Sequence, residues 1–375
     1  MFDINEFIHN NAAYLLGRGE RCRLDEAARA FVRGSCVLIT GGGGSIGSEL
    51  CMQAAACGAG KLVILDINEN NAFAVRERLG WEYPDMDAVI EIATVRDERR
   101  MHDIMRKYRP HLVIHAAAHK HVPLLEACPW EAIRNNIFGT FCTADAAEAA
   151  GVGRFVLIST DKAVNPSCVM GATKRFAEYI VASRCDSATR FSAVRFGNVL
   201  GSAGSVVPSF IGAIRRGETL HITDRAVERY FMTIPEAAKL VLRASAFDER
   251  GVYVLDMGEP VSIVTLAERV GECLGLPVQM AFTGLRDGEK LTEELFCGSP
   301  ASTADPLIFK SSRPTACVRT STGRWRCSMP RRMMRRRCAR CMKQWRNTKR
   351  RKRKLPPLVY SGSTSVHRIV DKPAA

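Results

Sequence analysis

Short apolar runs alternate with segments of helical periodicity between residues 35 and 198. Apolar runs of about four to eight residues favour buried strands, whereas apolar positions three or four residues apart favour helices. The predicted strands are residues 36–40, 61–66, 88–93, 111–116, 154–159 and 191–195, and the predicted helices include 46–57, 101–108 and 130–150. Because parallel strands need long crossover connections, this pattern predicts an α/β fold with a Rossmann-type doubly wound parallel sheet.

The pattern changes outside this region and divides the chain into four predicted segments. Residues 1–34 are predicted to form a helical lead-in, and residues 35–198 form the domain that contains the sheet. Residues 199–305 are richer in Gly, Pro and short elements, which indicates a smaller C-terminal substrate domain, partly interleaved with the first. Residues 306–375 form a tail of different character.

The tail accounts for the net charge of +15 over 375 residues. Residues 1–305 hold 33 basic and 38 acidic residues, so this body is mildly acidic. Residues 313–354 hold 18 basic residues, no acid and no apolar period, which predicts disorder. Clustered Lys and Arg attract phosphate polymers such as nucleic acids. No nucleic-acid recognition motif surrounds Trp325 or Trp345, so we expect no specific nucleic-acid partner.

Composition limits the class of protein further. A hydrophobic fraction of 46% is enough to form the cores of two domains. The 14 cysteines lack the spacing of a disulfide framework, and the single C-x-x-C at Cys338 and Cys341 has no second half, so we predict no metal site. No apolar run approaches the roughly 20 residues of a membrane span, and Asp3 and Glu6 do not suit a signal peptide. We therefore expect a cytoplasmic protein.

Residues 41–47, GGGGSIG, lie between a predicted strand and a predicted helix. They satisfy both the G-x-x-G-x-x-G and the G-x-G-x-x-G spacing. Glycine permits the tight turn, the approach of the backbone to a pyrophosphate, and close packing of the helix on the strand. The alternative is a flexible connector. The candidate cofactor-binding residues of the loop are Gly41, Gly44, Ser45, Ile46 and Gly47.

An acid follows the loop at the spacing of a dinucleotide site. The second predicted strand ends at Asp66, nineteen residues after Gly47, where a carboxylate accepts hydrogen bonds from ribose hydroxyls. Glu69 follows and no Arg stands beside it, so a 2′-phosphate is repelled and NAD is favoured over NADP. Asn136, on the helix after the fourth strand, is either ordinary polar surface or a brace for the cofactor loops.

The fifth predicted strand leads into residues 159–166, STDKAVNP, and then residues 170–174, MGATK. This segment resembles the extended short-chain dehydrogenase/reductases and, more narrowly, the CapD-like polysaccharide-biosynthesis dehydratases that act on UDP-N-acetylglucosamine. The resemblance runs from about residue 16 to residue 308. Its other blocks are HAAAHKHVPLLE (115–126), RFGNVLGS (195–202), RYFMTIPEA (229–237) and GLRDGEKLTEEL (284–295).

Met170 stands where most of this superfamily has a catalytic Tyr, four residues before Lys174. A thioether cannot exchange a proton, and Tyr179 is no substitute because nine residues place it on the opposite face of a helix. The chain is therefore either an inactive relative or a member of the CapD-like branch, in which Met is the family pattern. The retained residues 160–162 favour the second interpretation.

The resemblance implies a nucleotide-sugar 4,6-dehydratase, a lyase that uses bound NAD to convert a UDP-sugar to its 4-keto-6-deoxy form. It assigns the acid to Asp161, the base to Lys162, a hydrogen bond near O4 to Thr160, and contact with the cofactor ribose to Lys174, beside Met170. It further implies cofactor contacts at Asp97, Ala116 and Asn136 and UDP-sugar contacts at Lys120, Asn198, Arg229 and Arg286.

The resemblance also implies a homo-oligomer that serves glycan synthesis, in association with membrane glycan machinery at the inner membrane. Two alternatives are an NAD-dependent UDP-sugar epimerase or reductase, and a non-catalytic sugar-nucleotide-binding relative. Three features depart from the family. Thr94 replaces an Asp that meets adenine, Asp287 replaces a Pro, and the tail from about residue 314 matches nothing in the family, which suggests an aberrant C-terminus.

Overall fold

A nine-stranded sheet forms the centre of the computed structural model, which describes residues 2–311, 317–319 and 325–327. The strands are β1 Cys36–Thr40, β2 Lys61–Asp66, β3 Ala88–Ile92, β4 Leu112–His115, β5 Arg154–Thr160, β6 Arg190–Phe196, β7 Asn198–Val199, β8 Leu220–Ile222, β9 Glu228–Arg229, β10 Phe231–Met232, β11 Gly251–Leu255, β12 Val261–Ser262, β13 Met280–Phe282, β14 Ala301–Ser302, β15 Ile308–Ser311, β16 Cys317–Arg319 and β17 Trp325–Cys327. The six predicted strands agree with β1 to β6 within one residue at each end.

The helices connect these strands. They are α1 Ile4–Leu16, α2 Glu26–Val32, α3 Ser45–Ala56, α4 Glu69–Glu82, α5 Glu98–Tyr108, α6 Val122–Ala127, α7 Pro129–Ala132, α8 Gly139–Ala149, α9 Val169–Ala182, α10 Val206–Arg215, α11 Ile234–Ala246 and α12 Ile263–Leu274. A π-helical turn, Ile133–Phe138, joins α7 to α8, so the predicted helix 130–150 contains a change of helical type.

The sheet order is β14-β15-β11-β6-β5-β4-β1-β2-β3. The seven strands from β3 to β11 are parallel, and β15 and β14 run antiparallel at one edge. Order reverses at β1, from which the chain proceeds first to β2 and β3 and then to β4 on the other side. The predicted Rossmann-type doubly wound α/β fold is confirmed.

Clusters of buried apolar residues support the fold, among them one on the main sheet and one in the C-terminal region. The larger contains fully buried residues of the central strands, such as Val37, Leu62 and Ile114, together with residues of α3 and α11. The second contains Val207, Phe210 and Leu266 from the C-terminal part of the chain, packed with Ile8, Leu15 and Leu16 of α1. Small two-stranded sheets, β7 with β10, β9 with β12 and β8 with β13, complete this second region.

The chain interleaves the two regions. Strand β11 and strand β15 follow the smaller region in sequence, yet both lie in the main sheet. The predicted start of the tail at residue 306 is therefore too early, because Ile308 pairs with Leu255 of β11 and is fully buried. The remaining predictions for the tail, including its disorder and the Cys338–Cys341 pair, concern residues outside the described ranges, apart from the backbone pairing of β16 with β17.

Among the residues that the structure describes, every helix is too short or too polar to cross a bilayer.

Candidate active site

The carboxyl ends of β1, β2, β4, β5 and β6 meet at one edge of the sheet, because these strands are parallel neighbours in register. The predicted chemistry follows these ends directly. The glycine loop follows β1, Asp66 ends β2, Ala116 follows β4, and Thr160 ends β5. This is the edge at which open α/β sheets bind ligands.

The glycine loop is built for close contact between backbones. Gly41 has a φ of +68°, and a Cβ placed on it would lie 2.7 Å from the nitrogen of Ala117. A Cβ on Gly47 would lie 2.0 Å from the carbonyl oxygen of Gly41, so no larger residue fits between the loop and α3. Gly44 is the N-cap of α3 and contributes no side chain. The first amides of α3, which have no intrahelical partners, are left for an anion such as a pyrophosphate.

Two side chains fix the flanks of this loop. Asp66 is buried and its carboxylate accepts hydrogen bonds from the backbone N–H of Gly43 at 2.8 Å and of Asn68 at 2.9 Å. Ser45 Oγ accepts a hydrogen bond from the N–H of Ala203 at 3.0 Å, which joins the loop to the C-terminal region. The Asp66 carboxylate therefore lies against the loop, at the position predicted for a ribose contact.

His115 joins the ends of β1 and β4 and was not singled out by the sequence. Thr140 Oγ donates its one hydrogen to the carbonyl of Asn136 at 2.7 Å, so it accepts from His115 Nε2 at 3.0 Å. His115 Nδ1 is then an acceptor for the hydroxyl of Thr40 at 2.7 Å. Burial, reinforced by Lys174, lowers the pKa of His115 to about 3, so the ring is neutral.

Asn136 is buried in the π-helical turn and braces the loop after β4. Its Oδ1 accepts from the N–H of His119 at 2.8 Å, and its Nδ2 donates to the carbonyl of His119 and to Thr173 Oγ, both at 3.0 Å. Of the two alternatives for Asn136, these contacts favour the brace. π-Helical turns are frequent at functional sites.

Asp161 and Lys162 form an ion pair at the end of β5. Lys162 Nζ lies 3.1 Å from Asp161 Oδ1, which also accepts from Thr160 Oγ at 2.7 Å and from the N–H of Lys162 at 2.8 Å. The Asp161 carboxylate is fully buried, and within the described part of the chain its Oδ2 has no hydrogen-bond partner. All three donors converge on Oδ1.

Lys162 has two further polar neighbours. Its Nζ donates to Asn198 Oδ1 at 3.2 Å and lies 3.5 Å from Oε1 of Glu293, a buried carboxylate that the sequence interpretation did not select. Burial alone would lower the pKa of Lys162, but the carboxylates of Asp161 and Glu293 outweigh burial and raise it above its ordinary value. The resting ammonium is therefore charged, and its closest acceptor is Asp161.

Helix α9 places Met170 and Lys174 beside this pair. A Cβ on Gly171 would lie 2.1 Å from the carbonyl oxygen of Lys162, so glycine is required for α9 to pack on the turn. Lys174 is buried, donates to the carbonyl of Ile158, and has a pKa lowered by burial to about 8, with Glu178 opposing the shift. Tyr179 Oη accepts instead from Arg175 at 3.2 Å.

Residues 284–295 form a segment, here called the strap, that lies over the turn after β5. Ser167 Oγ donates to the carbonyl of Gly288 at 2.7 Å, Lys290 Nζ donates to the carbonyl of Val164 at 3.2 Å, and Asn165 Nδ2 donates to Glu294 at 2.8 Å.

A buried ion pair anchors the end of the strap. Arg195 and Glu178 pair at 2.9 Å with both side chains fully buried, and Arg195 Nη1 donates to the carbonyl of Leu295 at 2.9 Å. The block GLRDGEKLTEEL thus delivers Glu293 to Lys162, a role that the sequence interpretation of this block missed.

Four predicted binding residues are exposed or have protein partners. Asp97 is exposed and caps α5 by accepting from the N–H of Arg100. Arg229 is buried and donates to the carbonyls of Glu228 and Leu291 and to Glu289. The Arg286 side chain is exposed. Lys120 is also exposed, and partial desolvation of its ammonium by neighbouring protein atoms lowers its pKa.

The chain matches the family model described as polysaccharide biosynthesis protein over residues 37–307. It is 50% identical over 270 residues to the probable polysaccharide biosynthesis protein EpsC of Bacillus subtilis strain 168, covering 70% of this chain and 45% of EpsC. It is 49% identical over 266 residues to the capsular polysaccharide biosynthesis protein CapD of Staphylococcus aureus, covering 69% and 44%. The chain therefore spans about half the length of these relatives.

Solved structures share the fold. The X-ray structure of Pen from Bacillus thuringiensis aligns with a TM-score of 0.68 and 30% identity, over 76% of this chain and 90% of Pen. The dTDP-glucose 4,6-dehydratase DesIV of Streptomyces venezuelae, solved with NAD and TYD, aligns with a TM-score of 0.62 and 21% identity over 69% and 88%. The UDP-glucose 4-epimerase of Thermus thermophilus, solved with NAD, aligns with a TM-score of 0.61 and 22% identity over 69% and 90%.

Proposed function

The chain belongs to the family of polysaccharide biosynthesis proteins, and from this premise we propose that it is an NAD-dependent nucleotide-sugar 4,6-dehydratase acting on UDP-N-acetylglucosamine. The observation that carries the proposal is the Asp161–Lys162 pair, in which Lys162 Nζ stands 3.1 Å from a fully buried carboxylate. Met170 occupies the position of a phenol, so this pair is the acid–base equipment of the site.

The glycine loop supports NAD as the cofactor. A Cβ on Gly41 or Gly47 would collide with backbone, so the loop leaves room for a pyrophosphate to approach the backbone closely. The Asp66 carboxylate suits ribose hydroxyls rather than a 2′-phosphate. When bound there, NAD supplies the chemistry of taking a hydride from C4 of the sugar and returning it at C6. Asn136 holds the loop after β4, and Lys174 donates to the carbonyl of Ile158 in β5.

Elimination of water needs one base and one acid, and the pair provides both through a single proton shift. Transfer of a proton from Lys162 Nζ to Asp161 leaves a neutral amine and a carboxylic acid. The amine takes the C5 proton, which a neighbouring 4-keto group acidifies, and the acid protonates O6 as the C6–O6 bond breaks. Lys162 Nζ and Thr160 Oγ both donate to Asp161 Oδ1, so the shifted proton arrives on that oxygen.

Contacts with the UDP portion belong to the same proposal. Lys120 and Arg286 are exposed cations that suit a diphosphate, and Asn198, whose Oδ1 accepts from Lys162, orients the base beside the sugar. Arg229 donates to the carbonyl of Leu291 in the strap, and it contributes to diphosphate binding indirectly, by holding the strap in place.

The test is incubation of the purified protein with UDP-N-acetylglucosamine in deuterated water, followed by NMR. We expect a 4-keto-6-deoxy product with solvent deuterium at C5 and no net formation of NADH. A C4 epimer that retains O6 would contradict the dehydratase and indicate an epimerase. Unchanged substrate, in protein shown to contain NAD, would contradict both enzymes and favour a non-catalytic binding protein.

A further inference from the structure

Glu293 is a second carboxylate at the base. Its side chain is 6% exposed and its Oε1 lies 3.5 Å from Lys162 Nζ, on the strap rather than on the sheet edge that carries the pair. Arg195 fixes the carbonyl of Leu295 two residues further on, so the position of Glu293 is anchored independently of Lys162. A buried carboxylate held by the backbone at this distance is a fixed negative charge beside the amine.

We propose that Glu293 is a positioning residue for Lys162, whose carboxylate orients the amine and stabilises the positive charge that forms on Nζ when Lys162 takes the C5 proton. This inference rests on the proposed dehydratase function. In the step, the C5–H bond breaks, an N–H bond forms, and the electron pair passes to the 4-keto oxygen. Positive charge grows on Nζ alone, and Glu293 is the nearest carboxylate that does not itself deliver a proton to the substrate.

The charge balance around Lys162 explains why a second carboxylate is needed. After the proton of Lys162 Nζ has moved to Asp161, the Asp161 side chain is neutral and no longer stabilises an ammonium. Among the other groups near Lys162, the Glu293 carboxylate raises the pKa of the lysine and the Arg229 guanidinium lowers it. Glu293, with Oε1 3.5 Å from Lys162 Nζ, is therefore the carboxylate placed to stabilise the ammonium when the amine accepts the C5 proton.

The test compares Glu293→Gln with the wild-type protein. The glutamine keeps the shape and removes the charge, so we expect kcat to fall about 10- to 100-fold, with KM changed less than about twofold. The alkaline limb of the kcat profile, where the pair loses its shared proton, should move to lower pH by about one unit. Glu293→Asp, which keeps the charge, should hold that limb nearer to the wild-type position.

Glu294→Gln is the matched control. Glu294 lies on the same strap and contacts Lys290 and Asn165 instead of Lys162. Its replacement loosens the strap but leaves the charge at the base, so the alkaline limb should stay in place. An equal shift in both variants, or no shift in Glu293→Gln, would overturn the proposal.

A second measurement separates this inference from the dehydratase proposal. Competitive acetylation of Lys162 with acetic anhydride, followed by mass spectrometry across pH, reports its protonation without turnover. The midpoint should move to lower pH in Glu293→Gln. A shifted midpoint in a protein that does not dehydrate the sugar would sink the proposed function and leave the electrostatic role of Glu293 intact. An unshifted midpoint in an active dehydratase would overturn the electrostatic role of Glu293 and leave the proposed function intact.

Discussion

Single residues at the end of β5 carry the proposed chemistry, and the sequence identified most of them. Residues 160–162 follow a buried strand, so their position at the sheet edge could be predicted from the apolar pattern alone. Glu293 could not, because it lies in a run of charged residues far along the chain and only the folded strap brings it to Lys162. His115 was missed for the opposite reason, since it ends an apolar strand and its polar partners come from β1 and the helix after β4.

Replacement of either member of the pair should remove turnover without removing the cofactor. We expect Lys162→Ala and Asp161→Asn each to lower kcat by about 10²- to 10⁴-fold, since each deletes one proton-transfer group. NAD content, measured on the denatured protein, should match the wild type because the glycine loop is untouched. Lys61→Ala is the control, as Lys61 begins β2 and pairs with Asp87 at the surface. Wild-type rates in both pair variants would contradict the assignment.

The neutral ring of His115 should make the fold sensitive to acid. Because the folded pKa lies near 3, below the value of about 6.5 in the unfolded chain, its contribution is complete above pH 6.5 and is lost as the pH falls towards 3. His115→Gln should be less stable than wild type at pH 7, and this difference should shrink by about 2 kcal/mol at pH 5. Urea denaturation at both pH values measures it.

The control for this prediction is His221→Gln, which changes an exposed histidine of β8. Its stability difference from wild type should be the same at pH 7 and pH 5. If the stability difference between His115→Gln and wild type is also the same at pH 7 and pH 5, the buried ring does not cause the acid sensitivity.

At the scale of elements, strands were easier to predict than the structures between them. Five of the six predicted strands, β1, β2, β4, β5 and β6, are largely buried runs whose apolar character is visible in sequence, whereas β3 lies at the edge of the sheet and is partly exposed. The π-helical turn at 133–138 has no apolar signature, and the strap has neither an apolar period nor regular hydrogen bonds. Both depend on side-chain contacts with distant residues, such as Asn136 with His119 and Arg195 with Leu295.

Two glycines in different helices should respond in opposite ways to alanine. In Gly47→Ala the Cβ meets the Gly41 carbonyl at 2.0 Å, so the loop must open and NAD should be absent from the purified protein. In Gly80→Ala, within α4, the Cβ meets nothing within 4 Å, so the chain should gain about 0.5–1 kcal/mol from the better helix former. NAD content and thermal denaturation test the pair, and retention of NAD in Gly47→Ala would contradict the close-contact argument.

At the scale of the whole molecule, strand β15, which pairs with β11 and β14, extends the main sheet past residue 305. A chain that stops after Asp305 loses Ile308, whose burial is worth about 1.5–3 kcal/mol, and leaves β11 as an exposed edge. We expect it to melt at a lower temperature than a chain that stops after Ser328, and to aggregate on heating. Equal melting temperatures would show that β15 adds nothing to the sheet. Composition alone could not place this boundary, because Lys310 and the basic residues that follow conceal the strand.

Helix α1 has a consequence for how the protein is made. Ile8, Leu15 and Leu16 are synthesised long before Leu266 and Val270, which belong to the same cluster. During synthesis these apolar side chains cannot pack against their native neighbours until Leu266 and Val270 have been made. Strands β1 to β4 can pair before that point. The apolar residues of α1 are thus exposed to aggregation and to chaperones until residues 266–270 have been made.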